Sequence, residues 1–234
     1  MTISLFSNDT YLFESHSIVS DMRHDERGFY IALDQTIFYP QGGGQPSDQG
    51  VLKYYDMEIQ IFHVKQIGNE IRHYVSTLPD LPAGTCVMSH IDKERRIINA
   101  RYHTAAHLIG NIAEQICPTL KAVKGHSFPG EAYVEFHGSE IPHALILIES
   151  SNKAIHDCLP TRTFEINAKE FEEQFYKFPY NIPNNKMFRV MQIKGYPPVP
   201  CGGTHLSNCS EIGYIQVGKI KARNNILRIS YELK

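Results

Sequence analysis

His103 and His107 stand four residues apart in ARYHTAAHLIG, and Cys201 and His205 stand four apart in VPCGGTHLSN. On a helix, residues at i and i+4 share a face one turn apart, so the first pair can offer two imidazole nitrogens to one ion. The second pair lies among Pro197, Pro198, Pro200, Gly202 and Gly203, a composition that makes a tight turn. A thiolate and an imidazole delivered from a turn are common zinc donors. Either pair alone is weak. HxxxH occurs often on helix surfaces, and a lone cysteine is usually a buried thiol. Together the half-sites predict one zinc held by His103, His107, Cys201 and His205. Cys209, in the same turn, is the competing sulfur donor. Cys86, Cys117 and Cys158 read as core residues, and the other histidines, His126 included, as surface or core. Four protein ligands would make a closed structural centre, and three plus water a catalytic one. The spacing leaves both open.

The first half-site needs a helix to carry it. Asp92 is placed to cap one, and Ile98, Tyr102, Ala105, Ile109, Ile112 and Ile116 recur at three- and four-residue spacing. This predicts an amphipathic helix of about six turns, ended by Pro118. Before it, residues 1–91 read as β-rich. GFYIALDQTIF (28–38), VLKYY, MEIQIFHV, EIRHYVS and TCVMSHI are short aromatic or β-branched segments parted by turn residues, which suggests a small β-barrel-like domain. Within it, YPQGGGQPSDQG (39–50) carries too much glycine and proline for regular structure and reads as a long loop. Its GGGQ is not followed by the Lys-Ser/Thr of a phosphate-cradling loop. Residues 92–234 read as a second, α+β domain. Strands are expected in EAYVEFHG, TRTFEIN, MFRVMQI, EIGYIQVGKI and ILRISYEL, and a helix over 141–158 with Pro142 in its first turn. The fold class is therefore α+β, with helices on a largely antiparallel sheet.

Bulk properties narrow the classes. The chain has 234 residues with 42% hydrophobic and 21% charged residues, as an ordinary globular protein does. A net charge of −2 leaves any nucleic-acid contact to local patches. Lys93, Arg95, Arg96 and Arg101 form one candidate patch, and Lys219, Lys221, Arg223 and Arg228 another. The alternative for each is a solvated face. The N-terminus has no signal-peptide pattern, and no apolar run reaches the roughly 18 residues of a membrane span. Five scattered cysteines do not form a disulfide framework, so a reducing cytoplasm is expected.

Three segments resemble one known family. RRIINARYHTAAHLI is similar to the RxHTAxHLL signature of the alanyl-tRNA synthetase editing domain, CGGTHLSNCSEIG to its CGGTHxxxTGEIG, and FYPQGGGQPSDQG to its FYPxGGGQxxDxG. They occur in the family's order and span about residues 28 to 230. No class II aminoacylation motifs accompany them, so the chain resembles a free-standing editing protein of the AlaX type, in its medium-length form. The resemblance implies a trans-acting hydrolase that removes serine, and glycine as a second substrate, from mischarged alanine tRNA. It implies zinc at the four residues above and tRNA, rather than DNA or a membrane, as partner. Monomer and homodimer both remain open. Thr104 matches a family threonine linked to recognising the seryl hydroxyl. Gln45 and Asp48, in the glycine-rich loop, are the further catalytic candidates; the alternative is that they only hold the loop. Departures from the family pattern are Ala106 for threonine, Glu135 for aspartate, Cys209-Ser210 for Thr-Gly, and a single Arg228 where two arginines are usual. A non-catalytic tRNA-binding module with a structural zinc, and a small-molecule metallohydrolase, are the competing classes. A threonine-tRNA substrate is a minor alternative.

Overall fold

The alternating segments of the first hundred residues fold into antiparallel sheet in a computed structural model, which describes residues 2–175 and 187–234. The chain divides into two compact units, Met1–Ala100 and Arg101–Lys234.

In the first unit, β1 (Ile3–Ser4) precedes β2 (Glu14–Asp25), β3 (Gly28–Leu33), β4 (Gln35–Thr36), β5 (Gly50–Tyr54), β6 (Met57–Ile61), β7 (His63–Ile67), β8 (Glu70–Val75) and β9 (Cys86–Ile91). The order β6-β5-β9-β2-β3-β8-β7 makes a seven-stranded sheet. The β-rich first domain expected from the sequence is thus built around this antiparallel sheet. Its edge strands β6 and β7 are separated in the chain by Phe62 alone. β2 joins the two halves: Glu14–Ile18 pairs with β9, and its residues from Val19 on pair with β3, across a bulge between Val19 and Asp21. Such a bulge bends the strand and increases its twist, so one long strand can run through both halves of the sheet. β1 and β4 form a short parallel pair. Val19, Ile31, Leu33, Phe38, Leu52, Ile61 and Val64 fill the core.

The glycine-rich loop closes on itself within this unit. Gly42 and Gln45 exchange backbone hydrogen bonds of 3.2 and 2.9 Å around Gly43 and Gly44. Both central residues have positive φ, 53° and 79°. This is the two-residue hairpin turn that favours glycine at both positions, because a Cβ is strained there. Gly50 is required by proximity: a Cβ would lie 2.1 Å from the His90 carbonyl oxygen.

Helix α1 (Lys93–Ile116) follows, capped as anticipated by Asp92, whose Oδ1 accepts the Arg95 N–H at 3.0 Å. Its stripe differs in one place. Ile98 is 39% exposed, while Arg96 and Ala100 are buried. The second unit continues with β10 (Lys121–His126), β11 (Tyr133–His137), α2 (Ala144–His156), β12 (Thr161–Asn167), α3 (Ala168–Phe175), β13 (Met187–Ile193), β14 (Val199–Pro200), β15 (Ile215–Arg223) and β16 (Ile226–Leu233). Strands order as β10-β11-β16-β15 and as β12-β13-β14, every described pairing antiparallel. α2 packs on β15 and begins at Ala144. Pro142 therefore precedes the helix instead of opening it. Asn152 on α2 clamps β15, exchanging 2.8 and 2.9 Å bonds with the Ile215 backbone. Glu211 and Ile212, expected in a strand, lie in a short 3₁₀ turn over Cys209–Ile212. Asn208 and Glu211 form a capping box there, which satisfies the turn's first N–H groups and delays the strand to Ile215. The sequence reading did not anticipate β2, β10 or α3. Among the described residues, no helix is long and apolar enough to cross a membrane.

Candidate metal centre

The second unit brings both half-sites together. The helical stagger puts the His103 and His107 rings 5.2 Å apart, and the His205 ring lies 4.5 Å from the first and 4.9 Å from the second. One donor atom from each of His103, His107, Cys201 and His205 lies within 4.8 Å of the others. Bond lengths of about 2.0–2.3 Å around a tetrahedral zinc give nitrogen–sulfur edges of about 3.5 Å. Cys201 Sγ is 3.4 Å from His103 Nε2 and 3.2 Å from His205 Nε2. The donor chemistry and the spacing thus fit a four-coordinate divalent ion.

The local chain explains why these atoms converge. β14 pairs Val199 and Pro200 against β13, which brings Cys201 off the sheet's end. The Cys201 N–H donates to the Arg189 carbonyl at 3.0 Å. The Arg189 guanidinium returns two bonds through Nη1, to the Cys201 carbonyl at 2.9 Å and the Gly203 carbonyl at 2.7 Å. The Gly203 N–H points at Cys201 Sγ, 3.4 Å away. On the helix side, Arg101 Nε donates to the Ile212 carbonyl at 3.0 Å, and the Tyr231 hydroxyl donates to the Tyr102 carbonyl at 2.7 Å. Two anchors therefore hold the turn of α1 that carries His103. Sequence reasoning missed Arg189 and Tyr231, since neither belongs to a spaced motif.

Electrostatics prepare the donors. Burial holds His107 down to about 4, with the Arg189 charge adding to it. Burial, the neighbouring imidazoles and Arg189 hold His103 and His205 well below the usual histidine range. All three imidazoles are then neutral at pH 7, the form that binds a metal. Burial pushes the Cys201 thiol up to about 11, against the opposing pull of the Gly203 N–H and Arg189. A divalent ion reverses that balance by taking the sulfur as thiolate. Cys209 is fully buried and pushed up to about 12 by burial, outside the converging group.

Thr104 is fully buried beside the cluster. Its Oγ1 accepts the Leu206 N–H at 3.1 Å and sits 3.4 Å from His205 Nδ1. Nδ1 toward Thr104 leaves Nε2 toward Cys201, the assignment a metal ligand needs.

Gln45 and Asp48 are fully buried within Met1–Ala100. Asp48 Oδ2 accepts the Tyr39 N–H at 2.7 Å. Arg96 Nε reaches both Asp48 oxygens, at 3.1 and 3.0 Å, and Nη2 also bonds Oδ2. Arg96 Nη1 donates to the Thr10 carbonyl at 2.9 Å, and Nη2 to that of Ile37. Arg96 is therefore not a phosphate-gripping surface cation, and the first basic patch is corrected accordingly. Arg95 Nε is spent on the Ser47 carbonyl at 2.9 Å, and Arg101 on Ile212.

Fold and site together define an α+β protein with a His₃Cys cluster that could hold a metal ion. The family model for class II (A) tRNA synthetases matches residues 5–95. The chain is 31% identical to the alanyl-tRNA editing protein AlaX-L of Pyrococcus horikoshii, over 99% of this chain and 58% of that one. It is 33% identical to the alanine–tRNA ligase of Pyrobaculum arsenaticum, over 94% of this chain and 25% of the ligase. With the ligase of Ignicoccus hospitalis it shares 29% identity, over 98% and 26%. The chain thus spans about a quarter of the ligases and 58% of the editing protein. It is related, over nearly its whole length, to alanyl-tRNA editing proteins and to one part of the alanine–tRNA ligases.

Proposed function

We propose that the chain hydrolyses the aminoacyl ester of alanine tRNA mischarged with serine, with the glycine ester as a second substrate, and that its metal is zinc. The convergence of four donor atoms within 4.8 Å carries this reading. The relatedness to an alanyl-tRNA editing protein supports the choice of substrate. With one of its four donors displaced by substrate or water, zinc bound there would polarise the ester carbonyl or bring the pKa of water down toward about 7. The chain's own residues supply the rest. His103, His107 and His205 are neutral at pH 7, so binding displaces a proton only from Cys201. Arg189 fixes the turn through the Cys201 and Gly203 carbonyls.

Thr104 is assigned the reading of the seryl hydroxyl. Leu206 and His205 use its oxygen as an acceptor, so its O–H hydrogen is the group left to donate. A site built to bond a hydroxyl disfavours esters that lack it, the alanyl ester among them, by up to roughly 10⁴-fold, so the glycyl ester is expected to be much the slower of the two substrates. Gln45 and Asp48 contribute by fixing the glycine-rich loop. The partner is tRNA, and the compartment is the cytoplasm.

The test is ester loss from Ser-tRNA(Ala) by the purified, metal-loaded chain. Turnover that disappears in His103→Ala, together with about one zinc per chain in the parent, is the expected result. Tight tRNA binding without turnover would replace this reading with a binding module whose metal is structural. Cleavage of simple esters without tRNA would make it a small-molecule hydrolase.

A further inference from the structure

The second basic patch takes no part in the candidate metal centre. Lys219, Lys221 and Arg228 line a groove of about 480 Å³ on the β10-β11-β16-β15 sheet, together with Tyr133 and Ser230. Register explains the arrangement. Lys124, Glu135, Arg228 and Lys221 form one row across the four strands, since each is the cross-strand partner of the next. The adjacent row holds His126, Tyr133 and Ser230. It meets β15 at a register shift between Val217 and Ile220, where a Cβ on Gly218 would lie 2.8 Å from Ser230 Oγ. The row therefore carries aromatic bulk at one end and, at the other, a serine packed closely on glycine backbone.

Four planar groups stack along this surface. The Phe128 and His126 rings are 4.3 Å apart and 5° from parallel, and His126 and Tyr133 are 5.0 Å apart and 26° from parallel. The Arg228 guanidinium lies 4.0 Å from the Tyr133 centroid. Arg228 is held there by Glu135, which accepts from both Nε and Nη2. Neither of those bonds uses Nη1. The stack ends in a fixed guanidinium plane on a side chain 51% exposed.

Aromatic and guanidinium planes beside lysines are how proteins take unpaired nucleotides: bases stack on the planes while cations hold the phosphates. A duplex keeps its bases stacked on each other and offers only phosphates. Glu131 and Glu232 also line the groove, so the positive end is the one bounded by Lys219, Lys221 and Arg228. Against a chain of net charge −2, that clustering is local.

We infer that this groove is a second binding site, for an unpaired RNA segment: a base packs on the Arg228–Tyr133 stack, and adjoining phosphates lie on Lys219 and Lys221. The choice of RNA rests on the function proposed above, because the aminoacyl ester sits on an unpaired RNA end. Phosphate neutralisation by lysine gives affinity that falls with salt, and stacking gives preference for single strands.

The test is titration of the full-length chain with a labelled single-stranded RNA of about ten nucleotides, a length within the usual site sizes. The matching duplex and a polyglutamate peptide serve as competitors. Lys219→Ala/Lys221→Ala removes only exposed side chains. Tyr133→Leu removes the ring while keeping apolar cover. Each is expected to weaken single-strand binding by about tenfold or more. The lysine variant should also flatten the log–log salt slope by about 0.7 per lost phosphate contact. Lys153→Ala/Lys169→Ala, a charge-matched change at exposed lysines elsewhere, should bind like the parent. No binding by the parent, equal binding by the groove variants, or equal competition by duplex or polyglutamate would each overturn the inference. Ser-tRNA deacylation by the same proteins separates the two readings. Groove-dependent RNA binding without deacylation sinks the hydrolase and leaves the groove. Deacylation with RNA affinity and rate unchanged in both groove variants sinks the groove and leaves the hydrolase.

Discussion

Two polar clusters, one buried around Arg96 and Asp48 and one partly buried around the four candidate ligands, come from equally distinctive stretches of sequence and are built on opposite principles. Around Arg96 and Asp48, donor meets acceptor at every contact: guanidinium to carboxylate, guanidinium to carbonyl, backbone N–H to carboxylate. Such a network is complete and has nothing to offer a ligand. Around His103, His107, Cys201 and His205, four lone-pair donors face one another within 4.8 Å. Protons can be shared along pairs of them, as between Cys201 and His205, but only a cation uses all four at once. A cluster of like donors therefore marks chemistry, and a cluster of complementary ones marks scaffold. The sharpest way to break this contrast is His103→Ala. Metal content should fall from about one ion per chain toward none, and Ser-tRNA deacylation should fall by more than about 100-fold. Metal analysis on the purified variant, with circular dichroism to establish folding, decides it. Full metal occupancy in His103→Ala would remove the distinction.

The complementary cluster should fail differently. Removing one partner of a buried ion pair leaves the other charge stranded, at about 3–5 kcal/mol. Asp48→Asn and Arg96→Met are expected to lose stability of that order in urea unfolding, while the folded fraction keeps its metal, whose donors lie in Arg101–Lys234. An Asp48→Asn protein of parental stability but without deacylation would instead make Asp48 a participant in the chemistry.

What was legible in the sequence follows the range of the forces involved. α1 was readable because cap and apolar period are local: Asp92 caps it and Ile109 and Ile112 are buried as their spacing requires. The half-sites were readable because four-residue spacing is itself geometry. β2 was not, because ESHSIVSDMRHD is mostly polar and becomes a strand only by pairing with both β9 and β3. α3, AKEFEEQF, buries Ala168 and Phe171 on otherwise polar turns, too little period to register. The 3₁₀ turn at Cys209 did carry a local signal, Asn208 followed three residues later by Glu211, that outranked the apparent strand. Arg189 was invisible, since its partners Cys201 and Gly203 are reached only when β13 and β14 pair. The role of Arg96 was hidden for the same reason: a lysine- and arginine-rich helix start looks like a surface until Asp48 is folded onto it.

The same contrast holds between single histidines. His73 is fully buried with both ring nitrogens engaged: Nδ1 is 2.9 Å from the Ile31 carbonyl and Nε2 is 2.8 Å from Thr36 Oγ1. The neutral ring donates from Nδ1 and accepts the Thr36 hydroxyl at Nε2. Burial, opposed by the Ile31 bond, holds it down to about 4 from 6.5. Between those values the unfolded chain binds a proton that the native ring does not. This contribution is therefore complete above pH 6.5 and lost as pH falls toward 4. A gap of that size corresponds to about 3 kcal/mol. Urea midpoints measured from pH 7 to pH 4 should decline in the parent more steeply than in His73→Phe. Parallel declines would show that the ring does not carry the dependence.

Thr104 offers the finest test, because it stands at the border between scaffold and chemistry. As scaffold, its oxygen accepts the Leu206 N–H and holds the His205 ring with Nε2 toward Cys201. As chemistry, its hydroxyl hydrogen reads the seryl group. Thr104→Ser keeps the oxygen and should change stability by less than about 1 kcal/mol. Thr104→Val keeps the shape and removes the oxygen, leaving a buried N–H without its acceptor, at about 1–3 kcal/mol. If the scaffold role is the whole of it, Val weakens metal binding by roughly 10–100-fold and slows seryl and glycyl esters alike. If the hydroxyl also reads substrate, Val at saturating zinc slows the seryl ester selectively, and Ser restores it. Rates on the two esters, measured for parent, Ser and Val at saturating zinc, separate the roles: an unchanged seryl-to-glycyl ratio would assign Thr104 to the scaffold alone.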